Sequence, residues 1–391
     1  MIYIENEGAL FRGPARAWPR EVWTGTKFEA YKGEVPKNIE WGNQIPEEEA
    51  LRLIGGTPVD MASAGDLMRA AIVSGPEGES VSCDHVDFRA CIGPLVDESA
   101  DRSRQRLHQG WWRAFVLGEP AGAHPVRPAD RVCNTMAGGE ISFKNFVDEG
   151  ATRAVRETLD GRTSGSGGLV DERRLYNNLL SSQPLAFNFF GRLKQDPALA
   201  SEILRSLVPG IDGVTDVLFE FSPEDWVDNS AFDVALVVHA RGQKGLLGLE
   251  CKFTEPFSPK PYRNSRYEEI AEASGAFIAS YETCTSSRFN QLFRNQLIAE
   301  DLVRRGDYDF RMTGLFCHQN DDRAIGTGTA FRGLLRDGDA SFHIITFAQF
   351  IEAAQRSPID WEQREWSMHL WARYCGLSLS DAAWRQYGEG R

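Results

Sequence analysis

Beyond residue 170 the hydrophobic positions recur first at helical spacing and then, from Val214, at strand spacing. The helical spacing predicts three helices, over residues 172–180, 185–193 and 198–207. The strand-like runs predict three strands, over residues 214–221, 231–239 and 245–253. Because short turns separate these strands, we expect them to form an antiparallel meander.

The pattern after the meander predicts further helices and strands. A long helix is predicted over residues 286–305, strands over 311–318 and 341–345, and helices over 347–354 and 360–374. The segment 326–329, Gly-Thr-Gly-Thr, is most simply a turn because it lacks the lysine of a phosphate-binding loop. The whole pattern predicts an α/β fold with a mixed sheet flanked by helices.

The first 150 residues carry a weaker pattern, rich in glycine, proline and tryptophan. Helices are predicted over residues 47–54, 63–73 and 101–117, so we expect a separate α+β region. Arginines of the third helix either contact phosphate or form a solvated face: Arg102, Arg104, Arg106 and Arg113. A glycine- and serine-rich stretch at 160–168 predicts a linker, which gives an N-terminal region 1–150 of unknown role and a domain 165–391.

Composition narrows the class of protein. The 391 residues are 42% hydrophobic and 25% charged, as in globular proteins, and seven scattered cysteines fit reduced thiols. We find neither a membrane-spanning apolar run nor a secretory signal, so we expect a cytoplasmic protein without membrane contact. The net charge of -13 argues against non-specific coating of nucleic acid. A local basic groove stays open, with Arg288 and Arg294 as candidates.

Candidate chemistry lies on the second and third predicted strands. Side chains alternate along a strand, so Glu250 and Lys252 share one face and Cys251 points to the other. Asp233 lies on the preceding strand. One turn position pairs Asp233 with Phe253, on the Cys251 face, and another pairs it with Lys252, on the Glu250 face. Sequence leaves both registers open.

Two carboxylates and an ammonium on one sheet face are costly to bury without full pairing. A divalent cation resolves that conflict, since Mg²⁺ takes carboxylate and water oxygens as ligands. A bound metal lowers the pKa of its water and offsets charge that develops in phosphodiester hydrolysis, and Lys252 would then hold the attacking water or a phosphate oxygen. An ordinary surface ion pair is the alternative.

The order Asp233, turn, Glu250-Cys251-Lys252 resembles the PD-(D/E)XK nuclease superfamily, with its restriction-endonuclease-like fold. The similarity covers roughly residues 170–355 and includes the helical segment Gln291-Leu292-Phe293-Arg294-Asn295. The chain departs from the superfamily pattern at Phe232, where proline often precedes the aspartate.

The resemblance implies a Mg²⁺- or Mn²⁺-dependent DNA endonuclease, with defence against foreign DNA as a biological expectation. Asp233 and Glu250 would hold the metal, Lys252 would position water, and Gln291 would reach the active centre or the DNA backbone. Glu220 either supplies a further metal ligand or is a solvated strand residue. A homodimer is expected if both strands are cleaved, because that reaction is simplest with two active centres. A basic protein partner is a further possibility, since it could supply substrate binding to this acidic chain. The alternative is a catalytically silent nuclease-fold module that binds nucleic acid or a protein.

Overall fold

The computed structural model describes most of the chain beyond residue 85 and short segments before it. The described residues are 2–6, 9–13, 21–24, 27–30, 43–45, 50, 86–95, 99–124, 130–161, 170–258, 262–357 and 360–388. The chain forms two compact units, Met1–Val86 and Asp87–Arg391.

The first unit contains a five-stranded antiparallel sheet with strand order β4-β3-β2-β1-β5. Its strands are β1 Ile2–Asn6, β2 Ala9–Gly13, β3 Glu21–Trp23, β4 Phe28–Ala30 and β5 Asn43–Ile45. The helices predicted over 47–54 and 63–73 lie outside the described residues, apart from Ala50, which is helical and buried.

The second unit alternates helices and strands. Its helices are α1 Phe88–Ile92, α2 Ala100–Trp111, α3 Gly139–Ser142, α4 Glu149–Asp160, α5 Glu172–Asn177, α6 Ser182–Gln195, α7 Pro197–Leu207, α8 Ser265–Ser274, α9 Tyr281–Cys284, α10 Asn290–Arg304, α11 Asp322–Arg332, α12 Gly338–Ser341, α13 Phe347–Arg356, α14 Trp361–Leu370 and α15 Asp381–Gly388. Two π-helical turns, Trp112–Val116 and Trp371–Cys375, extend α2 and α14, and a 3₁₀ turn spans Leu377–Ser380. Its strands are β6 Ala121–Ala123, β7 Arg131–Met136, β8 Gly213–Phe221, β9 Phe232–Ala240, β10 Gln243–Lys252, β11 Phe310–Cys317 and β12 Phe342–Thr346.

A five-stranded mixed sheet organises this unit, in the order β12-β11-β10-β9-β8. The pairs β8–β9 and β9–β10 are antiparallel, while β10–β11 and β11–β12 are parallel. Successive residues of β10 enter different cores: Leu246 packs with Ile298 of α10, and Leu247 packs in the core that contains Phe190 of α6. Helices therefore cover both faces, which confirms the predicted mixed α/β architecture.

The turn between β9 and β10 sets the register on which the candidate chemistry depends. Ala240 pairs with Gln243 across a two-residue turn, Arg241-Gly242, in which both residues have positive φ (51° and 79°). The hydrogen-bonded pairing continues to Val234 opposite Leu249. Both registers considered from sequence, with Asp233 opposite Phe253 or opposite Lys252, are therefore wrong. The sequence Arg-Gly-Gln-Lys-Gly suggests a longer loop, but the two-residue turn matches the twist of the strands better.

The division between the units lies at residue 87, outside the glycine- and serine-rich stretch that predicted a linker. Residues 162–168 of that stretch are outside the described residues, and the residues described on either side belong to the second unit. Helix α4, which precedes the stretch, packs tightly on α6: a Cβ at Gly191 would lie 2.6 Å from Ala151 Cα. Helix α2 is tied to the C-terminal segment, with Arg104 bound to Asp381 at 2.7 Å.

Three of the four arginines predicted on this helix, two in α2 and one in its π-helical extension, bind the protein itself. Arg106 donates to Asn134 Oδ1 at 2.5 Å, and Arg113 donates to backbone carbonyls such as Cys133 O at 2.8 Å. Most of this predicted phosphate-contacting or solvated face therefore holds the fold together. No helix within the described ranges combines the length and apolarity that crossing a bilayer requires.

The predicted turn at residues 326–329 lies inside α11 instead. A Cβ at Gly328 would stand 3.1 Å from Leu315 Cδ2 and 3.2 Å from Ile344 Cδ1. The glycine therefore lets α11 approach β11 and β12 closely, a packing reason that outweighs the low helix propensity of glycine.

Candidate active site

Three acidic residues lie in one row across neighbouring strands. Val234 of β9 pairs with Leu249 of β10. The same register, continued by one residue, places Asp233 opposite Glu250. On the other side, the pairs Phe219–Val234 and Phe221–Phe232 flank Glu220 of β8, which lies opposite Asp233. Directly opposed residues share a sheet face, so the register gives Asp233 the face of Glu250 and Lys252.

The Glu250 carboxylate is held by side chains from its own strand and from α10. Lys252 Nζ lies 2.9 Å from Glu250 Oε1, and Gln291 Nε2 donates to the same oxygen at 2.5 Å. Asn295 Nδ2 donates to Glu250 Oε2 at 2.9 Å. Glu250 and Lys252 are only 3% and 5% exposed, so this cluster is buried.

Gln291 bridges both members of this ion pair, because its Oε1 also accepts from Lys252 Nζ at 3.0 Å. Gln291 and Asn295 are four residues apart on α10 and so reach the sheet from one helix face. The structure thus brings Gln291 to the cluster, as the resemblance implied. Asn295 lies on the same helix face, but the sequence analysis predicted no role for it. Its four-residue spacing from Gln291 nevertheless indicates that both side chains reach the same part of the sheet.

Charge repulsion and burial shape the ionisation of this cluster. Burial, and then the charges of Glu250 and Glu220, raise the pKa of Asp233 well above its usual value. Burial alone would lower the pKa of Lys252, but Glu250 and Asp233 raise it above its usual value, so Lys252 is an ammonium at neutral pH. Asp233 Oδ2 accepts a hydrogen bond from the Cys251 backbone N–H at 2.6 Å.

Glu220 has an unusual backbone. Its φ is +49°, in the left-handed region that non-glycine residues seldom adopt. Gln183, in the first turn of α6, donates to Glu220 Oε1 at 3.4 Å. Such a conformation costs of order 1–2 kcal/mol and persists only where the surrounding structure imposes it. Its charge acts on Asp233, as noted above, so the structure joins Glu220 to the acidic row.

A further carboxylate, Glu255, was not singled out from sequence. Glu255 Oε1 accepts from the Ser182 backbone N–H at 2.9 Å, at the start of α6, and Oε2 accepts from Thr254 N–H at 3.1 Å. Burial alone would raise the pKa of Glu255, but the Ser182 hydrogen bond and the charge of Lys252 hold it below its usual value. Glu255 therefore anchors the end of β10 to a helix N-terminus.

The two arginines expected to offset negative charge in a groove are engaged within the protein. Arg294 Nη1 lies 3.2 Å from Asp228 Oδ2, and its guanidinium carbon lies 4.4 Å from the ring centre of Tyr262. Arg288 donates to Gly326 O at 3.3 Å and is otherwise exposed. Of the two, Arg288 is the better placed for an external anion.

Comparison with known families agrees with this arrangement. The model of a family described as PD-(D/E)XK nuclease superfamily matches residues 96–376. The match covers most of the second unit and more than half of the chain, so the protein belongs to the PD-(D/E)XK nuclease superfamily. No curated protein and no solved structure matches the chain. The family is one of nuclease-type proteins, whose members typically use divalent metals.

Proposed function

We propose that this protein is a metal-dependent DNA endonuclease that hydrolyses phosphodiester bonds. The observation that carries the proposal is the buried cluster of Asp233, Glu250 and Lys252, in which Gln291 contacts both Glu250 and Lys252. Membership of the superfamily supports nuclease-type chemistry. DNA as substrate, internal cleavage and two-strand cleavage by a homodimer are parts of the proposal that rest on the resemblance.

The donor set suits Mg²⁺ or Mn²⁺. Asp233 and Glu250 supply hard carboxylate oxygens, and Glu220 adds negative charge to the same row. Within the described ranges, no group of three or more histidine, cysteine, aspartate or glutamate side chains is arranged to hold a metal alone. Two carboxylates completed by water and a substrate phosphate oxygen are the arrangement that Mg²⁺ favours. Asp233 and Glu250 would therefore hold the cation.

The side chains divide the work of hydrolysis. A bound cation would supply Lewis-acid activation of water and offset charge developing on the phosphate. Lys252 is kept charged by its neighbours, so its ammonium can bind the phosphate oxygen or orient the attacking water. Gln291 and Asn295 fix the Glu250 carboxylate by one hydrogen bond to each oxygen, which preserves its orientation before substrate arrives.

The test is cleavage of supercoiled, linear and single-stranded DNA in Mg²⁺, Mn²⁺ or EDTA. We expect cleavage with either metal and none in EDTA. Lys252→Met keeps the length of the side chain but removes its charge, and should slow cleavage about 10²–10³-fold, the usual loss for one group that stabilises a transition state.

Glu300→Gln is a matched control for the companion variant Glu250→Gln. Glu300 is also a buried glutamate in an ion pair, with Arg311 at 2.7 Å, but it lies about two and a half helical turns away from Gln291 on α10. We expect Glu250→Gln to abolish cleavage and Glu300→Gln to retain it. Folded, metal-saturated protein that cleaves none of the three DNAs would refute the proposal and favour a silent binding module.

A further inference from the structure

The Lys252 ammonium is enclosed, although it lies at the end of a strand. Among the described residues, it contacts Glu250 Oε1 at 2.9 Å, Gln291 Oε1 at 3.0 Å and the Phe257 ring, whose centre lies 5.1 Å away. Lys252 is only 5% exposed. A phosphate oxygen can therefore reach the ammonium only if one of these groups moves.

The hydrogen-bond capacity of Lys252 leads to the same conclusion. An ammonium has three N–H donors. Two of them are directed at Glu250 Oε1 and Gln291 Oε1, and the face of the Phe257 ring covers the ammonium from a further side. An aromatic face attracts a cation electrostatically, most strongly where water is excluded. Phe257 therefore covers the side of the ammonium that the two oxygen atoms leave open.

The groups around the ammonium differ in how firmly the fold holds them. Glu250 belongs to β10 and Gln291 belongs to α10, and a hydrogen bond joins their side chains. Phe257 is half-buried and lies in the irregular segment 253–258 that follows β10. Of the three, Phe257 is therefore the group that can move without disturbing a helix or a strand.

This segment is anchored at its start and held more weakly at its end. Glu255 accepts from the Ser182 backbone N–H at 2.9 Å, which ties the start of the segment to α6. Near its end, the Ser258 N–H donates to Gln291 Oε1 at 3.3 Å, longer than the usual range of about 2.7–3.2 Å. Phe257 also borders a cleft of about 340 Å³, so unfilled space lies beside its ring. The end of the segment can therefore shift while Glu255 holds the start.

We propose that Phe257 is a gate on Lys252, which occupies the position of a substrate phosphate oxygen in the free protein and moves aside when the substrate binds. The inference rests on the proposed nuclease function and deepens it, because it assigns a residue that controls substrate affinity. Since the ring must be displaced before a phosphate oxygen can bind the ammonium, the gate weakens substrate binding. Removal of the ring should strengthen binding and leave the chemical step unchanged.

The first test measures the acetylation of individual lysines by N-hydroxysuccinimide acetate, followed by mass spectrometry on the full chain in EDTA. Lys252 should react at least about fivefold faster in Phe257→Ala than in wild type, because the ring no longer covers and attracts the ammonium. Lys194 is the internal reference, since it is half-buried and paired with Asp216 at 3.3 Å, and it should react equally in both proteins.

Tyr308→Ala is the matched control variant. Lys244 Nζ lies 4.6 Å from the ring centre of Tyr308, so this variant also removes an aromatic ring from a lysine of β10, but at the other end of the strand. It should leave the acetylation of Lys252 and the cleavage of DNA unchanged. If Phe257→Ala does not fold, Phe257→Leu takes its place, because it removes the ring face and keeps apolar packing.

The second test is steady-state cleavage of DNA in Mg²⁺. Phe257→Ala should lower KM about fivefold or more and change kcat by less than about twofold, because only the opening step before binding is relieved. A merely structural role would lower kcat or raise KM instead. The inference is overturned if Lys252 reacts no faster in the folded Phe257 variant, if Lys194 accelerates as much as Lys252, or if KM does not fall.

The two readouts separate this inference from the proposed function. Protein that cleaves DNA but responds to Phe257→Ala in neither readout refutes the gate alone. Protein that cleaves no DNA refutes the nuclease and, with it, the gating of a substrate phosphate. Faster acetylation of Lys252 in Phe257→Ala would then still support Phe257 as the cover of the ammonium.

Discussion

Arg373 and Lys252 are both almost fully buried cations of the second unit, with exposures of 0% and 5%, but their partners differ. Arg373 donates to Asn145 O at 2.7 Å, to Asn145 Oδ1 at 2.6 Å and to Gln109 Oε1 at 3.3 Å, all uncharged oxygen atoms. Lys252 instead pairs with the Glu250 carboxylate and feels the charges of Asp233 and Glu255.

The difference separates a structural region from a reactive one. The arginine region joins the π-helical turn Trp371–Cys375 to α2 and to the segment before α4, and uncharged acceptors complete its hydrogen bonds. The candidate active site concentrates three acidic residues, Glu220, Asp233 and Glu250, around one ammonium. Repulsion among carboxylates disfavours folding, and a cation or a substrate-bound metal would relieve it. We therefore expect the arginine region to govern stability and the acidic row to govern activity.

The largest effect is expected in the arginine region. Arg373→Met removes the guanidinium and leaves Asn145 Oδ1 and Gln109 Oε1 buried without a donor, while Asn145 O keeps its hydrogen bond from Asn188. The free energy of unfolding should therefore fall by about 3 kcal/mol or more. Chemical denaturation measures this. Arg336→Met is the control, because the exposed Arg336 side chain donates only to Gly275 O among the described residues, and its loss should change stability by less than about 1 kcal/mol. An equal fall in the free energy of unfolding in the two variants would contradict the stabilising role given to Arg373.

A pH effect should follow from His108 in the same region. Burial, chiefly, lowers the pKa of His108 to about 4 in the folded protein, against about 6.5 when unfolded. The unfolded state therefore binds more protons between pH 6.5 and 4, and the free energy of unfolding should fall by up to roughly 3 kcal/mol as pH drops through that window.

His318 has the same low pKa and adds a second contribution to that pH effect. The check is the pH dependence of chemical denaturation for wild type and His108→Gln. The variant should show a clearly shallower fall, since one of the two histidines is gone. An identical slope in both proteins would count against a neutral, buried His108.

The smallest stability effect, with the opposite sign, is expected in the acidic row. Asp233→Asn keeps an acceptor for the Cys251 N–H but removes a buried, repelled charge. In EDTA we expect the free energy of unfolding to stay level or to rise by about 1 kcal/mol. DNA cleavage should be lost. Asp216→Asn is the control, because that half-exposed aspartate pairs with Lys194 at 3.3 Å near the surface, an interaction worth little, and the change should alter neither property.

Much of the second unit could be predicted from sequence. The strands β8, β9 and β10 begin and end within two residues of their predicted bounds, because each is a clear apolar run between turns. The family, too, follows from the order of Asp233, Glu250 and Lys252. These features are local in sequence, so a pattern can reveal them.

Features that depend on distant contacts could not be predicted. The register of Asp233 depends on the positive φ of Arg241, a residue type that seldom marks such a turn. The boundary between units depends on contacts such as Arg104 with Asp381, which join segments 277 residues apart. The surroundings of Glu255 depend on Ser182 in the same way.

The most direct test of the acidic row as a cation site is the free energy of unfolding in EDTA and in Mg²⁺, for wild type and Asp233→Asn. At Mg²⁺ about tenfold above its dissociation constant, wild type should gain about 1.4 kcal/mol. The variant should gain little. Any excess of its free energy of unfolding over that of wild type, seen in EDTA, should therefore disappear or reverse in Mg²⁺. No Mg²⁺-dependent gain in wild type, or the same gain in both proteins, would contradict the account.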